Sequence, residues 1–368
     1  MRKSFKYRIY LTNGQRRILE QQLEECRWVY NETLAERKRA YEERGESLRL
    51  YDTQMMLPVW KMTRPSLTLV HSQVLQNVNI RVDLAFQAFF RRVKAGENPG
   101  YPRFKSFGRY DSITYPQYGN GVRLDGERLI LSKVGAVHVV LHRPVEGAPK
   151  TVTLQRSPTG KWYACFSCET EANKLHPVDK IVGIDVGLAS FLTTSSGGTV
   201  PNPRFYRKDE ADLARVQQRL SDAKNQQDWV AYRKRKRAVA HIHERIANRR
   251  TDFAHKLSRV MVNTYQVIAL EDLAPLEMGR SRGMRKSIRD VAWSQFVSMT
   301  CVKAEEAGRT VVLVDPAYTS QRCSSCGERV KKTLSDRTHA CPHCGLVLDR
   351  DHNAALNILH RGLQQLRL

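Results

Sequence analysis

Four cysteines place the firmest constraint on how this chain can fold. Cys323, Cys326, Cys341 and Cys344 form the pattern C-x2-C-x14-C-x2-C, and a glycine follows each pair, at Gly327 and Gly345. Two close pairs, each with a tight turn behind it, bring four thiolates together as a tetrahedral structural Zn²⁺ requires. The segment therefore reads as a zinc-ribbon insert. His343 lies inside the second knuckle and reads as an outward residue rather than a ligand. In a chain of 368 residues the eight cysteines are no disulfide framework, and the metal spacing fits a reducing compartment. Cys165-Phe-Ser-Cys168 is a decoy. It lies in a strand pattern, where residues three apart face opposite ways, and it lacks a turn glycine. Those two thiols, with Cys26 and Cys301, read as core residues.

Periodicity divides the rest. Phe5, Tyr7, Ile9 and Leu11 alternate as a strand, and Thr12 with Gln15 resembles a capping box. Ile18, Leu19, Leu23, Cys26, Tyr30 and Leu34 then recur at helical spacing until Gly45, and Pro58 interrupts again. A second helix carries Leu75, Val78, Val82, Phe86, Phe89 and Val93 and stops before the Gly96–Gly100 turn. Between about 106 and 175 the period becomes two, with turns at Leu124-Asp125-Gly126 and Ser157-Pro158-Thr159-Gly160. This reads as a small antiparallel sheet or barrel that the N-terminal strand joins, which makes the helical block an insertion. From 179 onward the pattern is α/β. IVGIDVG and FLTTSSGG read as strands, followed by a helical stretch over about 208–264 with Val239, Ile242, Ile246, Phe253, Leu257 and Val260 on one face. VIALE (267–271) and TVVLVD (310–315) read as buried strands, and DHNAALNILH as a closing helix.

Three acids stand where those strands and that last helix begin or end. Asp185 sits in an apolar strand between Gly183 and Gly187, Glu271 is the first charge after Val267-Ile268-Ala269-Leu270, and Asp351 opens the final helix. A buried carboxylate is costly unless it is paired or binds a metal. Acids converging from separate elements of one α/β domain suit Mg²⁺ or Mn²⁺, which prefer hard oxygen ligands. Two such ions about 4 Å apart can promote phosphodiester hydrolysis. Each acid alone also has an ordinary reading: Asp185 as a hairpin turn residue, Glu271-Asp272 as the surface end of a strand, and Asp351, or Asp349 before it, as a helix N-cap. Asp315 offers the same strand-end geometry as a substitute.

Charge indicates the partner. Lys+Arg number 61 against 37 Asp+Glu, a formal net charge of +24, which points to a polyanion. No run approaches about 18 apolar residues, and the basic start MRKSFKYRIYLTNG lacks the apolar stretch of a secretory signal, so a cytoplasmic location is expected. Arg233, Lys234, Arg235, Lys236 and Arg237 form a run, Arg245, Arg249 and Arg250 follow, and Arg91, Arg92, Lys94, Arg103, Lys105 and Arg109 interleave with Phe104 and Tyr110. Any one run reads equally as a solvated face. Spread along the chain, they suggest a phosphate-lined path for nucleic acid.

GIDVGLASF, ALEDL, PAYTSQRCSSCG and CPHCGLVLDRDHNAALNIL, in that order, closely resemble the transposon-associated TnpB family, which is related to compact type V CRISPR effectors. HERIANRRTDFAHKLS looks like a further signature, and RWVYN and PRFK match the layout of the N-terminal half. The resemblance implies a multi-domain α/β chain, in which a RuvC-like (RNase H-type) nuclease domain with a zinc-ribbon insert accompanies a split antiparallel β-barrel (wedge) and a helical recognition lobe. The boundaries it implies are wedge at 1–10 and 106–178, recognition lobe at 11–105, nuclease at 179–317 and 348–368, and a zinc-ribbon, target-nucleic-acid-binding insert at 318–347. The metal-binding catalytic acids fall on Asp185, Glu271 and Asp351, the R-D-x-N-A pattern at Arg350–Ala354 favouring Asp351 over Asp349, and all three positions are filled. Tyr51, Ser72, Gln76 and Gln117 align as readers of a target-adjacent motif, though each reads equally as a solvated surface residue.

The implied function is that of an insertion-sequence RNA-guided DNA endonuclease, in which a guide RNA from the transposon end directs metal-dependent cleavage of double-stranded DNA. One nuclease site would cut both strands, with Mg²⁺ (or Mn²⁺), one structural Zn²⁺ and the guide RNA as cofactors. A monomeric protein in a ribonucleoprotein of the bacterial or archaeal nucleoid is expected. The rival readings are an RNA-guided DNA-binding repressor that does not cleave, and a guide-free nuclease or resolvase acting on branched DNA.

Overall fold

The alternation at the start of the chain becomes a central strand. In the computed structural model, which describes residues 1–273, 290–333 and 336–367, β1 (Arg2–Tyr10) buries Phe5, Tyr7 and Ile9. It lies between β7 (Trp162–Glu169) and β5 (Gly135–Val140), antiparallel to both. With β2 (Ser112–Tyr115), β3 (Val122–Asp125), β4 (Arg128–Leu131) and β6 (Ala148–Arg156) they form a seven-stranded sheet, ordered β2-β6-β7-β1-β5-β4-β3. Because β1 pairs with strands more than a hundred residues away, the intervening helices are an insertion in this sheet.

Those helices begin on the capping box. Thr12 Oγ1 accepts from the Gln15 N–H at 3.2 Å and the Thr12 N–H donates to Gln15 Oε1 at 3.1 Å, opening α1 (Asn13–Arg44). Gly45, at φ 65°, closes it in the left-handed conformation. α2 (Leu50–Thr63) and a 3-10 turn (Pro65–Leu69) lead to α3 (Ser72–Lys94). Pro58 does not interrupt the helix as expected but lies inside α2. Tertiary packing carries α2 past the missing hydrogen bond: Leu57 is buried and Trp60 meets Trp28 edge-on at 5.7 Å.

The chain divides into two compact units, Met1–Glu171 and Ala172–Leu368. The second is built on a five-stranded sheet, ordered β10-β9-β8-β11-β12. Here β8 (Ile181–Val186), β11 (Val267–Glu271) and β12 (Thr310–Val314) run parallel, while β9 (Ser190–Thr194) and β10 (Thr199–Pro201) are antiparallel additions. The helical stretch after β10 is a pair, α4 (Phe205–Asn225) and α5 (Trp229–Thr264). It breaks where Gln227 takes a φ of 56° and Asp228 caps α5, accepting from the Val230 and Ala231 N–H groups. Ile246 and Leu257 of α5 are buried as expected, but Val260 is exposed, and Ala254, Met261 and Val262 join the buried face instead.

Strand alternation then assigns the two faces of this sheet. Val182, Ile184, Ile268 and Leu270 share a core with α5 and α6 (Trp293–Ala307). The opposite face, with Gly183 and Ala269, receives α7 (Arg350–Leu366). There the helix sits on bare backbone: a Cβ on Gly183 would lie 2.2 Å from the Ala355 carbonyl oxygen, and one on Gly362 would lie 2.6 Å from Ala269 Cβ. Ala355 and Ile358 of the helix are fully buried on this seat. Gly183→Ala drives a methyl into backbone that cannot yield, so it should cost about 1–3 kcal/mol, as overpacking does. Gly14→Ala, whose added Cβ meets nothing closer than Thr12 Oγ1 at 4.0 Å, should be neutral or stabilising. Thermal unfolding of the two variants checks the contrast, and equal midpoints would contradict it.

Candidate metal centre and carboxylate site

The cysteine knuckles fold as the spacing requires. Gly327 and Gly345 take φ values of 79° and 76°, a left-handed geometry that glycine adopts without strain, and donate to the Cys323 and Cys341 carbonyls at 2.9 and 3.0 Å. All four sulfurs lie within 4.8 Å of one another, with Cys323–Cys344 and Cys326–Cys341 each 3.6 Å apart. Tetrahedral Zn–S bonds of about 2.3 Å place sulfurs about 3.8 Å apart, so the donor set fits zinc. Backbone N–H groups of Cys344 and His343 draw the Cys341 thiol down to about 6. Against the Glu328 N–H, burial and hydrogen bonds with the other three cysteines push Cys326 up to about 12, so four thiolates together would need a cation. His343 is exposed, as expected of a non-ligand. A hairpin of β13 (Thr338–Ala340) and β14 (Val347–Asp349) joins the knuckles to α7.

The acids gather at one end of the parallel strands. β8 and β11 pair through Ile184 and Leu270, so Asp185 and Glu271 follow directly at the carboxyl ends of neighbouring strands. Period two sets their direction, since Asp185 shares the face of Gly183, and Glu271 that of Ala269. Both therefore face α7. Asp351 lies in the first turn of that helix, and its Oδ2 is 3.9 Å from where a Cβ on Gly187 would stand. The structure separates it from its neighbour: Asp349 is the N-cap, accepting from the Asp351 and His352 N–H groups at 2.9 and 3.0 Å. Asp315 is spent on a turn, accepting from the Ala317 N–H at 2.9 Å, and is exposed.

Each acid has a distinct environment. Among the described residues, none hydrogen-bonds the Asp185 carboxylate, and burial with the charges of Glu271 and Asp351 raises it well above the usual carboxylate range. Burial also raises Glu271, against a hydrogen bond from Thr319 Oγ1 at 2.6 Å and the nearby Arg361 guanidinium. Asp351 Oδ1 accepts from Arg350 Nε and Nη2 at 3.1 and 3.0 Å, and Arg337 stands 3.9 Å from Oδ2. The three carboxylates do not close to within 4.8 Å of one another as the thiols do. A buried Glu271 beside half-buried Asp185 and Asp351, with Asp185 free of hydrogen bonds among the described residues, is a donor set that a hard divalent cation would neutralise.

The residues expected to touch nucleic acid are distributed unevenly. Ser72 and Gln76 are exposed on the first turns of α3, where Ser72 accepts from Lys61 Nζ at 3.1 Å. Gln117 joins them, accepting from Gln73 Nε2 at 3.1 Å. Tyr51, 71% exposed, stands apart from them in sequence at the start of α2. Lys105 is fixed rather than free. Its carbonyl accepts from Arg27 and Asn31, its N–H donates to Asn31, and its Nζ lies 5.5 Å from the Tyr30 ring, so RWVYN grips PRFK. Arg233 and Lys234 are exposed near the start of α5, and Arg235 is half-buried. By contrast Arg245 and Arg249 pair with the buried Asp209, and Arg250 with the buried Asp290, so these cations hold the fold.

Two measurements follow from these environments. Chelating zinc, or Cys323→Ser, should unravel the knuckles; loss of about one zinc per chain with a lower unfolding temperature, read by metal analysis and calorimetry, is the expected result. Asp185 and Glu271 hold protons more tightly folded than unfolded. Stability without divalent cations should therefore fall as pH rises from the ordinary carboxylate range toward their raised values. Asp185→Asn removes one of these charges and should raise the unfolding midpoint at pH 7.5 by about 2–4 °C, the shift expected for about 1 kcal/mol in a unit of this size.

Three family profiles match the chain: "Probable transposase" at residues 165–282, "Cas12f1-like, TNB domain" at 293–358, and "Helix-turn-helix domain" at 1–46. The last segment folds here as strand β1 and the single helix α1. Among known proteins, a "Putative RNA-guided DNA endonuclease" of Streptomyces pristinaespiralis is 33% identical over 99% of this chain and 90% of its own length. "Putative RNA-guided DNA endonuclease InsQ" of Escherichia coli is 33% identical over 92% of this chain and 86% of its own. In overall fold, the mini-RNA-guided endonuclease CRISPR-Cas_phi3 superposes with a TM-score of 0.50 at 10% identity, covering 99% of this chain and 92% of that one. At that identity the likeness concerns fold alone. With a third of its residues shared over nearly the full length of these relatives, the chain belongs to the TnpB (OrfB) family of insertion-sequence proteins.

Proposed function

We propose that the protein is an RNA-guided, metal-dependent DNA endonuclease. The observation that carries this reading is the unpaired Asp185 carboxylate at the end of a parallel strand, beside Glu271 and facing the helix turn that carries Asp351. The strand order of the second unit, with antiparallel β9 and β10 beside parallel β8, β11 and β12, agrees with a RuvC-like, RNase H-type domain. Names borne by relatives over most of their length support the guide RNA and the DNA substrate.

Asp185, Glu271 and Asp351 would hold Mg²⁺ or Mn²⁺. When bound, such ions supply Lewis-acid stabilisation of the phosphodiester and lower the pKa of water. The chain's own part is to aim the carboxylates at one place, where a bound cation would offset the burial that favours protonated Asp185 and Glu271. Arg350 fixes Asp351 and Thr319 fixes Glu271, while Asp185 stays free of hydrogen bonds. The wedge sheet and helices of the first unit would seat the guide RNA and read a short target-adjacent motif, with Ser72, Gln76 and Gln117 as its readers. Base pairing would supply the sequence specificity, as in other guided nucleases. A single site would cut both strands in turn, within a ribonucleoprotein holding one copy of the protein.

The test is cleavage of a guide-matched duplex with Mg²⁺. Asp185→Ala should lower the rate about a thousandfold or more, the several kcal/mol of transition-state stabilisation that a metal site provides, and leave guide-dependent DNA binding intact. A mutant that cuts as fast as the parent sinks the assignment. A parent that binds the duplex and never cuts it would establish the repressor reading instead.

A further inference from the structure

We infer that Thr319 is a positioning residue for the nuclease site, holding Glu271 in the orientation in which it meets a divalent cation. The inference rests on the reading of Glu271 as a metal ligand. Thr319 is 4% exposed, and its hydroxyl stands 2.6 Å from Glu271 Oε1 and 3.2 Å from the Pro316 carbonyl. A hydroxyl has one proton, and the shorter, charge-assisted bond to the carboxylate takes it. With one carboxylate oxygen fixed in this way, the other has a defined direction.

What holds Thr319 is unusual in its regularity. Asn353, Asn357 and Arg361 recur every four residues along one edge of α7, and each grips the backbone of the segment between β12 and the first knuckle. Arg361 donates to the Asp315 and Ala317 carbonyls at 2.6 and 2.8 Å. Asn357 Nδ2 donates to the Thr319 and Arg322 carbonyls, both at 2.8 Å. Asn353 donates to the Arg322 carbonyl at 2.7 Å and accepts from the Ser324 N–H at 2.9 Å, beside the ligand Cys323. Asn353 and Asn357 are buried. An irregular segment is thereby held along its length by the same helix that carries Asp351, and Thr319 hands that rigidity to Glu271. The zinc knuckle and the carboxylate site are two ends of one braced strip.

Thr319→Val keeps the shape and removes the proton donor; Thr319→Ser restores the donor. In the full-length protein loaded with guide RNA, Thr319→Val should raise the Mg²⁺ concentration for half-maximal cleavage about tenfold. The rate at saturating Mg²⁺ should stay within about threefold of the parent, since the acid itself remains. Mn²⁺ binding followed by electron paramagnetic resonance should weaken by a similar factor, zinc content should be unchanged, and Thr319→Ser should behave as the parent. If Thr319→Val fails to keep its zinc, Thr319→Ala with the same measurements replaces it. Unchanged Mg²⁺ dependence and Mn²⁺ affinity, or a serine variant no better than valine, would overturn the inference. Glu271→Gln separates the two levels of the argument: if it cleaves and binds Mn²⁺ like the parent, the reading of Glu271 itself fails.

Discussion

A helix seated on bare backbone is the contact on which the second unit depends. At Gly183 no side chain intervenes between β8 and α7, and Gly362 with Ala269 repeats the arrangement on β11. Strand and helix are therefore as close as two elements can pack. Everything chemical lies one step from that contact: Asp185 is two residues along the strand from Gly183, and Asp351 is four residues up the helix from Ala355, whose carbonyl oxygen meets the glycine. A bulkier seat would separate the two acids by the thickness of a side chain. Close packing of small residues here fixes the distance between carboxylates carried by different elements.

That closeness works against electrostatics, and the chain bears the cost locally. Its formal net charge of +24 favours a polyanion throughout, yet only a few cations stand at the acids: Arg350 and Arg337 at Asp351, and Arg361 near Glu271. Asp185 shares Arg350 with Asp351, and that charge does not offset burial and the neighbouring Glu271 and Asp351, so its carboxyl stays well above the usual range. Other arginines of the chain, among them three from the basic runs, are committed elsewhere. Arg245, Arg249 and Arg250 neutralise buried Asp209 and Asp290, and Arg81 binds Tyr110, Ser112 and Thr114. The free surface charge is smaller than the composition suggests, and Arg91, Lys94, Lys234, Lys236 and Arg237 are among the exposed cations of the basic runs.

Much of this was legible in the sequence because it depends on spacing. Alternation found β1 and its sheet, the cysteine pattern found the knuckles, and a lone Asp in an apolar strand marked the candidate carboxylate site. What escaped depends on three-dimensional competition. Pro58 reads as a breaker, and the packing of Leu57 and Trp60 overrules it. Asp349 and Asp351 are equivalent by residue type alone; the R-D-x-N-A resemblance favours Asp351, and the hydrogen bonds at the helix start show Asp349 as the cap. Thr319 carried no chemical signal at all, since a threonine two residues before Gln321 in a loop announces nothing until its partner is known. The recurrence of Asn353, Asn357 and Arg361 at four-residue spacing was visible, and polar residues repeating at that interval beside an apolar face could have been read as a second buried edge.

The position of the zinc insert follows from the same geometry. It occupies the connection between β12 and α7, two elements of one sheet-and-helix core that must be joined by a path long enough to turn back. An irregular connection leaves backbone donors and acceptors to be satisfied, and here α7 satisfies them from one edge while its other face packs on the sheet. A zinc ion on the four thiolates would anchor the far end of that path, where the ribbon has little apolar core: between 320 and 349, Cys323, His339 and Cys341 are the buried residues among those described. Without the knuckle the path would be tethered by the helix alone. With the knuckle folded, the segment carrying Thr319 is held from both sides, and on the proposed reading the placing of Glu271 on β11 would depend on four sulfurs in the neighbouring ribbon.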